Sequence, residues 1–290
     1  MHGLKKLARD LWLSRGRTAT MLLAIAVGLI GFNVTLGAFG VLTREIERNY
    51  LASAPASATL ELASVSDALL SAARHRPDVI AATRRKTVHA RFRTDDREPW
   101  RRALLFVVDD FDTMPVAKLF HEQGAWPPPP GTLLLERSGH AVAGVDIGGS
   151  LELRLPGQLA RRVRVSGVAH EPALAPAQTE EAIYAYVTAD TARAFGIAPA
   201  FDELRVLLDR DDRHAIEASV RQLATWIERE RLGELRELRV PPPRHHPHQT
   251  QMTAVLAVVL VFAALVLIMS AFLAASSLST FMARQSREIG

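Results

Sequence analysis

Two long stretches without a charged residue constrain this chain more than any other feature of its sequence. They run from Ala19 to Leu42 and from Ala254 to Leu278. As an α-helix, at about 1.5 Å per residue, each stretch reaches roughly 36 Å, which exceeds the about 30 Å of hydrocarbon in a bilayer. Buried helices of soluble proteins seldom run so long without a charge. Both stretches are therefore predicted to be transmembrane helices.

The overall composition is ordinary only because it averages two unlike parts of the chain, the charge-free stretches and the remainder. Hydrophobic residues make up 48% of the chain and charged residues 23%, which is within the range of globular proteins. The two stretches hold none of the charges, so the remainder has the composition of a soluble domain with charged flanks. Because the sequence has no cysteine, a disulfide framework, a thiolate metal site and a cysteine nucleophile are excluded.

A cleaved signal peptide is the alternative interpretation of the first stretch. A basic segment precedes it, and residues 52–54 (ASA) resemble a cleavage site. The apolar part of a cleavable signal is only about 7 to 15 residues long, however. Charged residues 43–48 (TREIER) also separate the stretch from the cleavage-like site. An uncleaved membrane anchor is therefore favoured.

The first stretch also holds two pairs of small or polar residues that lie one helical turn apart. The pairs are Ala24 with Gly28 and Asn33 with Gly37. Such spacing lets a second helix approach closely, although it is common by chance. Both pairs are interpreted as weak signals of helix packing.

Lysine and arginine near the membrane ends predict the orientation of the chain. Because basic residues favour the inner side of a membrane, both termini are predicted to be cytoplasmic. The two flanks hold about +4 and +1 and the residues between the spans about −1, which together give the net charge of +4. Topology and anionic lipid therefore explain the basic balance without a nucleic-acid partner. The basic residues of the flanks are Lys5, Lys6, Arg9, Arg15 and Arg17 before the first span and Arg284 and Arg287 after the second.

Residues 1–18 form a cytoplasmic segment with amphipathic helical spacing. A basic face and a tryptophan just before a span predict a helix that lies along the inner membrane surface, with membrane lipid as its partner. A short frayed helix of no consequence is the alternative. The apolar residues are Leu4, Leu7, Leu11 and Trp12, and the basic residues are Lys5, Lys6 and Arg9.

Residues 43–253 form a large loop that is predicted to be an extracytoplasmic domain. Its outer parts, 50–85 and 200–240, each show a strand–helix–strand outline. The predicted elements are a strand at 58–63, a helix at 66–74 capped by Ser66 or Asp67, a strand from Val79, a strand at 203–208, a helix at 212–230 and a strand at 235–240.

The inserted residues 86–199 are rich in β-strand patterns and are punctuated by turn signals such as Gly148-Gly149 and Pro156-Gly157. Residues 241–250 are a Pro/His linker, predicted to be an extended connector to the second span. The predicted fold class is thus a membrane protein of the α+β type. Two transmembrane helices flank a large extracytoplasmic α+β domain, in which a split βαβ subdomain carries a β-rich insertion.

Motifs that would specify an enzyme are absent from the sequence. It has no Gly-x-x-x-x-Gly-Lys-Ser/Thr phosphate loop, no Gly-x-Ser-x-Gly nucleophile elbow and no His-Glu-x-x-His zinc helix. The glycines of residues 144–149 have the wrong spacing for a dinucleotide loop and predict a β-turn. We therefore predict no catalytic residue, no cofactor and no enzyme activity, and a tethered extracytoplasmic enzyme is the weakest hypothesis.

Two short clusters contain residue types that bind metals. Residues 245–248 (HHPH) could chelate zinc or copper, but the proline stiffens the segment and no acidic residue lies close in sequence. A solvated linker is favoured there. Residues 109–112 (DDFD) lack the ligand series and the glycine of a calcium loop, so a turn at a strand end is favoured. No metal site is predicted.

Four segments of the chain resemble one family of membrane proteins. Residues 287–290 (REIG) resemble the opening of the coupling helix in FtsX-like and MacB-type ABC transporter permeases. Residues 7–28 (LARDLWLSRGRTATMLLAIAVG) are similar to the family's entry into its first helix. Residues 131–172 (GTLLLERSGHAVAGVDIGGSLELRLPGQLARRVRVSGVAHEP) resemble its periplasmic module. Residues 183–196 (IYAYVTADTARAFG) resemble the strand and helix that usually follow.

This resemblance implies a permease subunit, or a fragment of one, in the bacterial inner membrane. A separate cytoplasmic P-loop ATPase would drive movement of the extracytoplasmic domain for export, extraction or release of a substrate or partner. A second permease copy or half is implied as a further partner. Residues 43–253 would be a MacB-like periplasmic core domain, and 279–290 the start of the coupling helix. The residues implied to contact the ATPase are Arg284, Arg287, Glu288 and Gly290.

The family's permeases continue past the coupling segment into further spans, whereas this sequence ends at Gly290. We expect either that the chain is a fragment or that the remaining spans lie on another polypeptide. A two-span membrane sensor with an extracytoplasmic ligand-binding domain is the alternative function. It predicts a downstream signalling segment in place of further spans. No pattern in the sequence names a substrate.

Overall fold

The computed structural model of the chain describes residues 15–198, 200–245 and 249–289. One compact unit contains the described parts of Met1–Glu45 and His248–Gly290, and a second is formed by Ile46–Pro247. The elements in chain order are α1 (Arg15–Ala52), β1 (Ala58–Leu62), α2 (Asp67–Arg74), β2 (Val79–Arg93), β3 (Arg101–Val108), β4 (Phe120–Gly124), β5 (Thr132–Glu136), α3 (Arg137–Ala143), β6 (Ser150–Arg154), β7 (Arg161–His170), α4 (Ala177–Glu180), β8 (Ala182–Thr188), α5 (Ala189–Ala194), β9 (Glu203–Leu208), α6 (Arg213–Arg229), β10 (Leu235–Arg239) and α7 (Gln249–Ile289).

The terminal unit consists of α1 up to Glu45 and of α7. The two helices contain segments long and apolar enough to cross a membrane, Leu22–Ala52 and Thr253–Ser276. Most side chains are exposed, as expected for helices that face lipid, but the covered positions recur at alternating spacings of three and four residues. This spacing is the seam of two helices packed side by side. The covered positions include Ile25, Gly28, Phe32, Thr35 and Phe39 in α1 and Thr253, Leu256, Leu260, Ala263, Leu267, Ser270 and Ala274 in α7.

Gly28 lies where the two helices approach each other closely. A Cβ atom on Gly28 would lie 2.9 Å from Ser270 Oγ and 3.4 Å from Leu267 Cα. A larger residue at this position would therefore require Ser270 to rotate and would crowd the backbone of the neighbouring helix. The packing signal predicted at Ala24 and Gly28 is confirmed, since Ala24 is also partly covered.

The second predicted packing signal, Asn33 with Gly37, is wrong for this pair of helices. Both residues are exposed, and no atom of the described chain lies within 4 Å of a Cβ built on Gly37. The side chain of Asn33 is instead satisfied within its own helix, because Nδ2 donates to the carbonyl oxygen of Leu29 at 2.9 Å.

A split βαβ subdomain begins and ends the central unit. The segments β1–α2–β2 and β9–α6–β10 interleave into the strand order β10-β1-β9-β2, in which every neighbouring pair is antiparallel. This is the ferredoxin-like arrangement. One face of the sheet, with Leu60, Leu204 and Val206, shares a hydrophobic core with Leu69 of α2 and Val220 of α6.

The second half of β2 belongs to a closed barrel. Residues 85–92 pair with β3, and residues 91–93 also pair with β6. The pairing then runs from β3 through β8, β5, β7 and β6 back to β2, while β4 extends the sheet beyond β7. Six strands therefore close on themselves around a packed interior. Buried residues of these strands include Phe92, Leu105, Leu133, Val163 and Ile183.

The predicted fold class is confirmed, because a sheet-rich α+β unit lies in the chain between two terminal apolar helices. Side chains cap both helices of the split subdomain, and Ser66 is one of the two caps predicted for α2. Ser66 Oγ accepts from Leu69 N at 3.1 Å at the start of α2, and Asp212 Oδ2 accepts from Ala215 N at 2.9 Å at the start of α6. These side chains satisfy amide groups that have no partner within the first turn.

Three further details differ from the sequence expectations. The predicted boundary at residues 85–86 falls inside the continuous strand β2, so the two subdomains share that strand. Strand β4 is not predicted by an apolar pattern because all of its side chains are exposed. The linker is not fully extended, since Arg244 adopts a φ of 58° and His245 N donates to Pro242 O at 3.4 Å.

Candidate functional site

Polar side chains cover one face of the central strands β2 and β9. In β9, Leu204 and Val206 point into the hydrophobic core, so the alternating residues Glu203 and Arg205 project from the opposite face. Arg85 of β2 is directly paired with Glu203 in the antiparallel register. The side chains of Arg85 and Arg205 are only 12% exposed and that of Glu203 only 8%.

Glu171, which follows β7, completes this group of buried charges. Its side chain is 3% exposed, and both of its carboxylate oxygens accept from Arg85 Nη1 at 3.0 Å. Tyr186 of β8 donates its hydroxyl to Glu171 Oε2 at 3.0 Å. Arg205 lies 3.1 Å from Glu203 and 3.6 Å from Glu171. We call Arg85, Glu171, Tyr186, Glu203 and Arg205 the charge cluster.

The charge cluster combines two arginines with two carboxylates and is neutral as a whole. Burial opposes the charge of Arg85, but Glu171 and Glu203 outweigh it and raise the pKa of Arg85 above its ordinary value. Phe106 adds support, since the guanidinium carbon of Arg85 lies 3.9 Å from the centre of its ring. Burial, with the nearby Glu171, raises the pKa of Tyr186 well above its usual range. Arg85 therefore stays charged and the Tyr186 hydroxyl stays a donor.

The charge cluster connects the two subdomains. Glu203 and Arg205 belong to the split βαβ subdomain, Glu171 and Tyr186 belong to the barrel, and Arg85 lies on the strand that both share. Removing one partner of a buried ion pair leaves an uncompensated charge, which costs about 3–5 kcal/mol. The cluster therefore resists separation of the two subdomains.

An open groove of about 800 Å³ lies beside the charge cluster, lined by residues of β1, β2, β3, β9 and β10. Arg85, Glu203 and Arg205 contribute to its wall, together with Arg236 and Pro241. Arg236 is exposed and makes no ion pair with any residue that the structure describes. Mixed charges in an open groove suit the binding of a polar ligand more than chemistry in a closed chamber.

A serine, a histidine and a glutamate meet near α3, but their geometry is structural. Glu136 is 4% exposed and accepts from Ser138 N at 2.6 Å and from the Ser138 hydroxyl. His170 Nδ1 lies 3.1 Å from the other oxygen of Glu136. A nucleophilic serine needs its hydroxyl on the histidine. The Ser138 hydroxyl instead contacts Glu136 and accepts from Ala177 N at 3.0 Å.

Over residues 15–198, 200–245 and 249–289, no group of three or more His, Asp and Glu side chains is placed to hold a metal ion. In residues 109–112, Asp110 Oδ1 accepts from Asp112 N at 2.8 Å and from Thr113 N at 3.2 Å. The turn predicted there is confirmed. His246 and His248 of the HHPH segment lie outside the described residues.

The residues predicted to contact an ATPase lie at the end of α7. Arg284, Arg287 and Glu288 fall within its helical backbone. Gly290 lies outside the described residues. The residues predicted for a membrane-surface helix lie outside them as well: Leu4, Lys5, Lys6, Leu7, Arg9, Leu11 and Trp12. Both roles stay predictions.

The sequence patterns do not predict the charge cluster, although β9 carries a signal for it. Residues 203–206 (ELRV) alternate polar and apolar side chains with a period of two, whereas Arg85 lies in a run of polar residues, 83–87 (TRRKT). Such alternation indicates a strand with one solvated face. In the structure this polar face is covered by Glu171 and Tyr186, which come from distant segments of the chain. A local pattern therefore does not reveal that it is buried.

No protein-family model and no curated protein matches the sequence. The periplasmic region of MacB from Actinobacillus actinomycetemcomitans resembles the structure with 11% identity and a TM-score of 0.44, over 73% of this chain and 98% of that one. The extracellular domain of the ABC-type transporter YknZ from Gram-positive bacteria resembles it with 12% identity and a TM-score of 0.41, over 62% and 100%. The predicted resemblance to MacB-type periplasmic domains is thus also found in the structure. At these identities the likeness concerns the fold and not the activity.

Proposed function

We propose that the chain is a permease subunit, or part of one, of an ABC transporter, in which movement of α1 and α7 changes the shape of Ile46–Pro247. The observation that carries this proposal is the antiparallel pairing of β1 with β10. Helix α1 ends at Ala52, shortly before β1, and β10 ends shortly before the linker to α7. Both membrane helices are therefore attached to neighbouring strands of one sheet.

In this proposal, sliding of α1 against α7 along their seam pulls β1 against β10. The register of these strands, from Thr59 opposite Arg239 to Leu62 opposite Leu235, shifts between Glu61 and Leu62. Strand β1 pairs on its other side with β9, which carries two members of the charge cluster. The displacement is passed from β1 through β9 to the charge cluster and so to the barrel.

The energy comes from a separate cytoplasmic P-loop ATPase, because the sequence has no phosphate-binding loop of its own. We propose that Arg284, Arg287, Glu288 and Gly290 contact this ATPase. The similarity of residues 287–290 to the opening of a coupling helix supports the contact. A second permease copy or half completes the transport unit, which lies in the bacterial inner membrane with both termini of this chain in the cytoplasm.

Photo-crosslinking in living cells tests the coupling. A photoreactive amino acid in place of Arg287 is expected to form a covalent adduct with a P-loop ATPase subunit, identified by mass spectrometry. The same amino acid in place of Leu159, which is 90% exposed in Ile46–Pro247, is the control and should give no such adduct. No ATPase adduct at position 287, or equal adducts at both positions, contradicts the proposed contact.

The absence of cysteine allows a direct test of the proposed topology. A membrane-impermeant maleimide added to intact spheroplasts should label a Leu159→Cys variant, because this residue is proposed to lie outside the cytoplasm. It should label a Ser286→Cys variant only after the membrane is permeabilised. Labelling in the reverse order would invert the topology.

A two-span sensor is the second candidate, and the open groove is the observation that favours it. A polar ligand bound there would contact Arg85, Glu203 and Arg205 and could reach the β1–β10 pair from the opposite direction. A sensor would form no ATPase adduct at position 287. The crosslinking experiment therefore distinguishes the two functions.

A further inference from the structure

Three arginines face one another across adjacent strands on the outside of the barrel. Arg91 of β2 is paired directly with Arg102 of β3 and with Arg154 of β6. Because the neighbouring Phe92 and Leu153 are buried, the arginines project outward. Directly opposed residues are about 5 Å apart, so three like charges lie within about 10 Å, an arrangement that destabilises a sheet.

Strand β7 widens this basic surface. Arg162 and Arg164 are exposed and are paired with Glu152 and Ser150 of β6. Glu152 already forms an ion pair with Arg93 at 2.7 Å. The domain therefore leaves most of this positive charge without a carboxylate. The arginines that form no ion pair with any described residue, which we call the arginine ladder, are Arg91, Arg102, Arg154, Arg162 and Arg164.

Trp100 borders the arginine ladder and indicates what kind of partner it fits. Its partly exposed ring has the guanidinium carbon of Arg93 at 4.7 Å and that of Arg154 at 4.3 Å from its centre. Arginine and tryptophan are the residue types most enriched in hot spots between proteins. The outside of a barrel also suits a protein surface better than a small anion, which binds in a concave pocket. Arginine forks bind carboxylates with two parallel hydrogen bonds.

We propose that the arginine ladder is a docking surface for a second protein that presents a row of acidic side chains. Charge complementarity defines this partner, because its carboxylates would neutralise arginines that now repel one another. Trp100 supplies the apolar contact at the edge of the interface. The proposal concerns only the surface of Ile46–Pro247, so it does not depend on coupling to an ATPase.

Binding of fluorescent poly-L-glutamate to the full-length protein in an uncharged detergent tests this proposal by fluorescence anisotropy. The wild type should bind, and Arg91→Glu should bind about tenfold more weakly, since it reverses the central charge of the ladder. The matched control is Arg221→Glu, the same charge change at an exposed position of α6. It should change Kd by less than about twofold, because it lies outside the ladder.

Inorganic polyphosphate of equal charge separates an acidic protein from a phosphate-bearing polymer. Poly-L-glutamate should bind at least as tightly as polyphosphate if the ladder is built for carboxylates. Tighter binding of polyphosphate overturns the proposal. Absence of poly-L-glutamate binding by the wild type, or an equal loss in the Arg91→Glu and Arg221→Glu variants, also overturns it. If Arg91→Glu does not fold, Arg164→Glu is the second variant, because Arg164 lies opposite the neutral Ser150. It should weaken binding of poly-L-glutamate by the same factor.

Discussion

Arg85 and Arg91 stand on the same face of one strand, yet their surroundings are opposite. Arg85 is 12% exposed and is bound by Glu171 and Glu203. Arg91 is exposed and meets two other arginines across the sheet, one of them Arg154. Both residues pair with β3 on one side, and what differs is the strand on the other side, which is β9 for Arg85 and β6 for Arg91. Whether a charge in a sheet is neutralised therefore depends on residues of other strands. The neutralised Arg85 has a structural role, and the unneutralised Arg91 is proposed to bind a partner.

The largest loss of stability is expected when the buried ion pair between Arg85 and Glu171 is removed. Glu171→Gln removes the carboxylate that accepts two hydrogen bonds from Arg85 and leaves that charge poorly compensated. We expect the free energy of unfolding to fall by about 3 kcal/mol or more. Chemical unfolding of the full chain in detergent, followed by tryptophan fluorescence, measures the change.

The control for this variant is Glu237→Gln. Glu237 has a side chain that is 54% exposed and lies 3.4 Å from the equally exposed Arg239. Exposed ion pairs contribute only about 0–1 kcal/mol, so little change is expected. Equal effects of the two variants would mean that the charge cluster does not hold the subdomains together.

The helix seam offers a similar contrast between two residues of one type. Gly28→Leu places a side chain where a Cβ already lies 2.9 Å from Ser270 Oγ, whereas nothing described lies within 4 Å of a Cβ on Gly37. Overpacking should lower the stability of the helix pair by about 1–3 kcal/mol in Gly28→Leu and leave Gly37→Leu unchanged. Thermal unfolding in a mild detergent measures both variants. A comparable loss in Gly37→Leu would show that a seam through Gly28 does not set the packing.

These contrasts show which parts of the molecule can be predicted from sequence. The apolar stretches, the caps Ser66 and Asp212 and the alternation in β9 are local patterns, and each local pattern matches the element observed. The closure of the barrel through β6 and the burial of Arg85 depend on pairing between distant segments. A single sequence does not contain that information in local form.

The candidate site illustrates the same limit. Arg85 and Arg91 occur in one polar-rich run, TRRKTVHARFR, and residue type alone does not separate the buried arginine from the exposed one. Strand β4 is missed for a related reason, since its exposed side chains carry no apolar signal and the strand is defined by backbone pairing with β7. Residues that owe their role to local spacing are predictable, and residues that owe it to a partner strand are not.

A smaller change in stability, of opposite sign, is expected at the exposed Arg91. Arg91→Glu converts two repulsive cross-strand pairs, with Arg102 and Arg154, into attractive ones. The free energy of unfolding should rise by about 1 kcal/mol, even though this variant is expected to lose binding of acidic partners. A higher Tm measured by circular dichroism is the expected result. A lower Tm would show that Arg91 contributes to the fold and would contradict its assignment to binding.

The smallest effect concerns the buried carboxylate of Glu136, which is bound by Ser138 and His170. Burial tends to raise the pKa of Glu136, but hydrogen bonds from His170 and Ser138 outweigh it and lower the pKa below the ordinary value. Since the pKa is lower in the folded chain, this stabilisation is complete above the unfolded pKa of about 4.3 and is lost as the pH falls through the folded value.

Wild type should therefore exceed Glu136→Gln in stability by about 0.5 kcal/mol near neutral pH, and the difference should vanish in acid. Denaturant unfolding across pH 2–7 measures it, with the exposed Glu228→Gln as control. A constant offset across this range would mean that the stabilisation does not depend on the ionised form of Glu136.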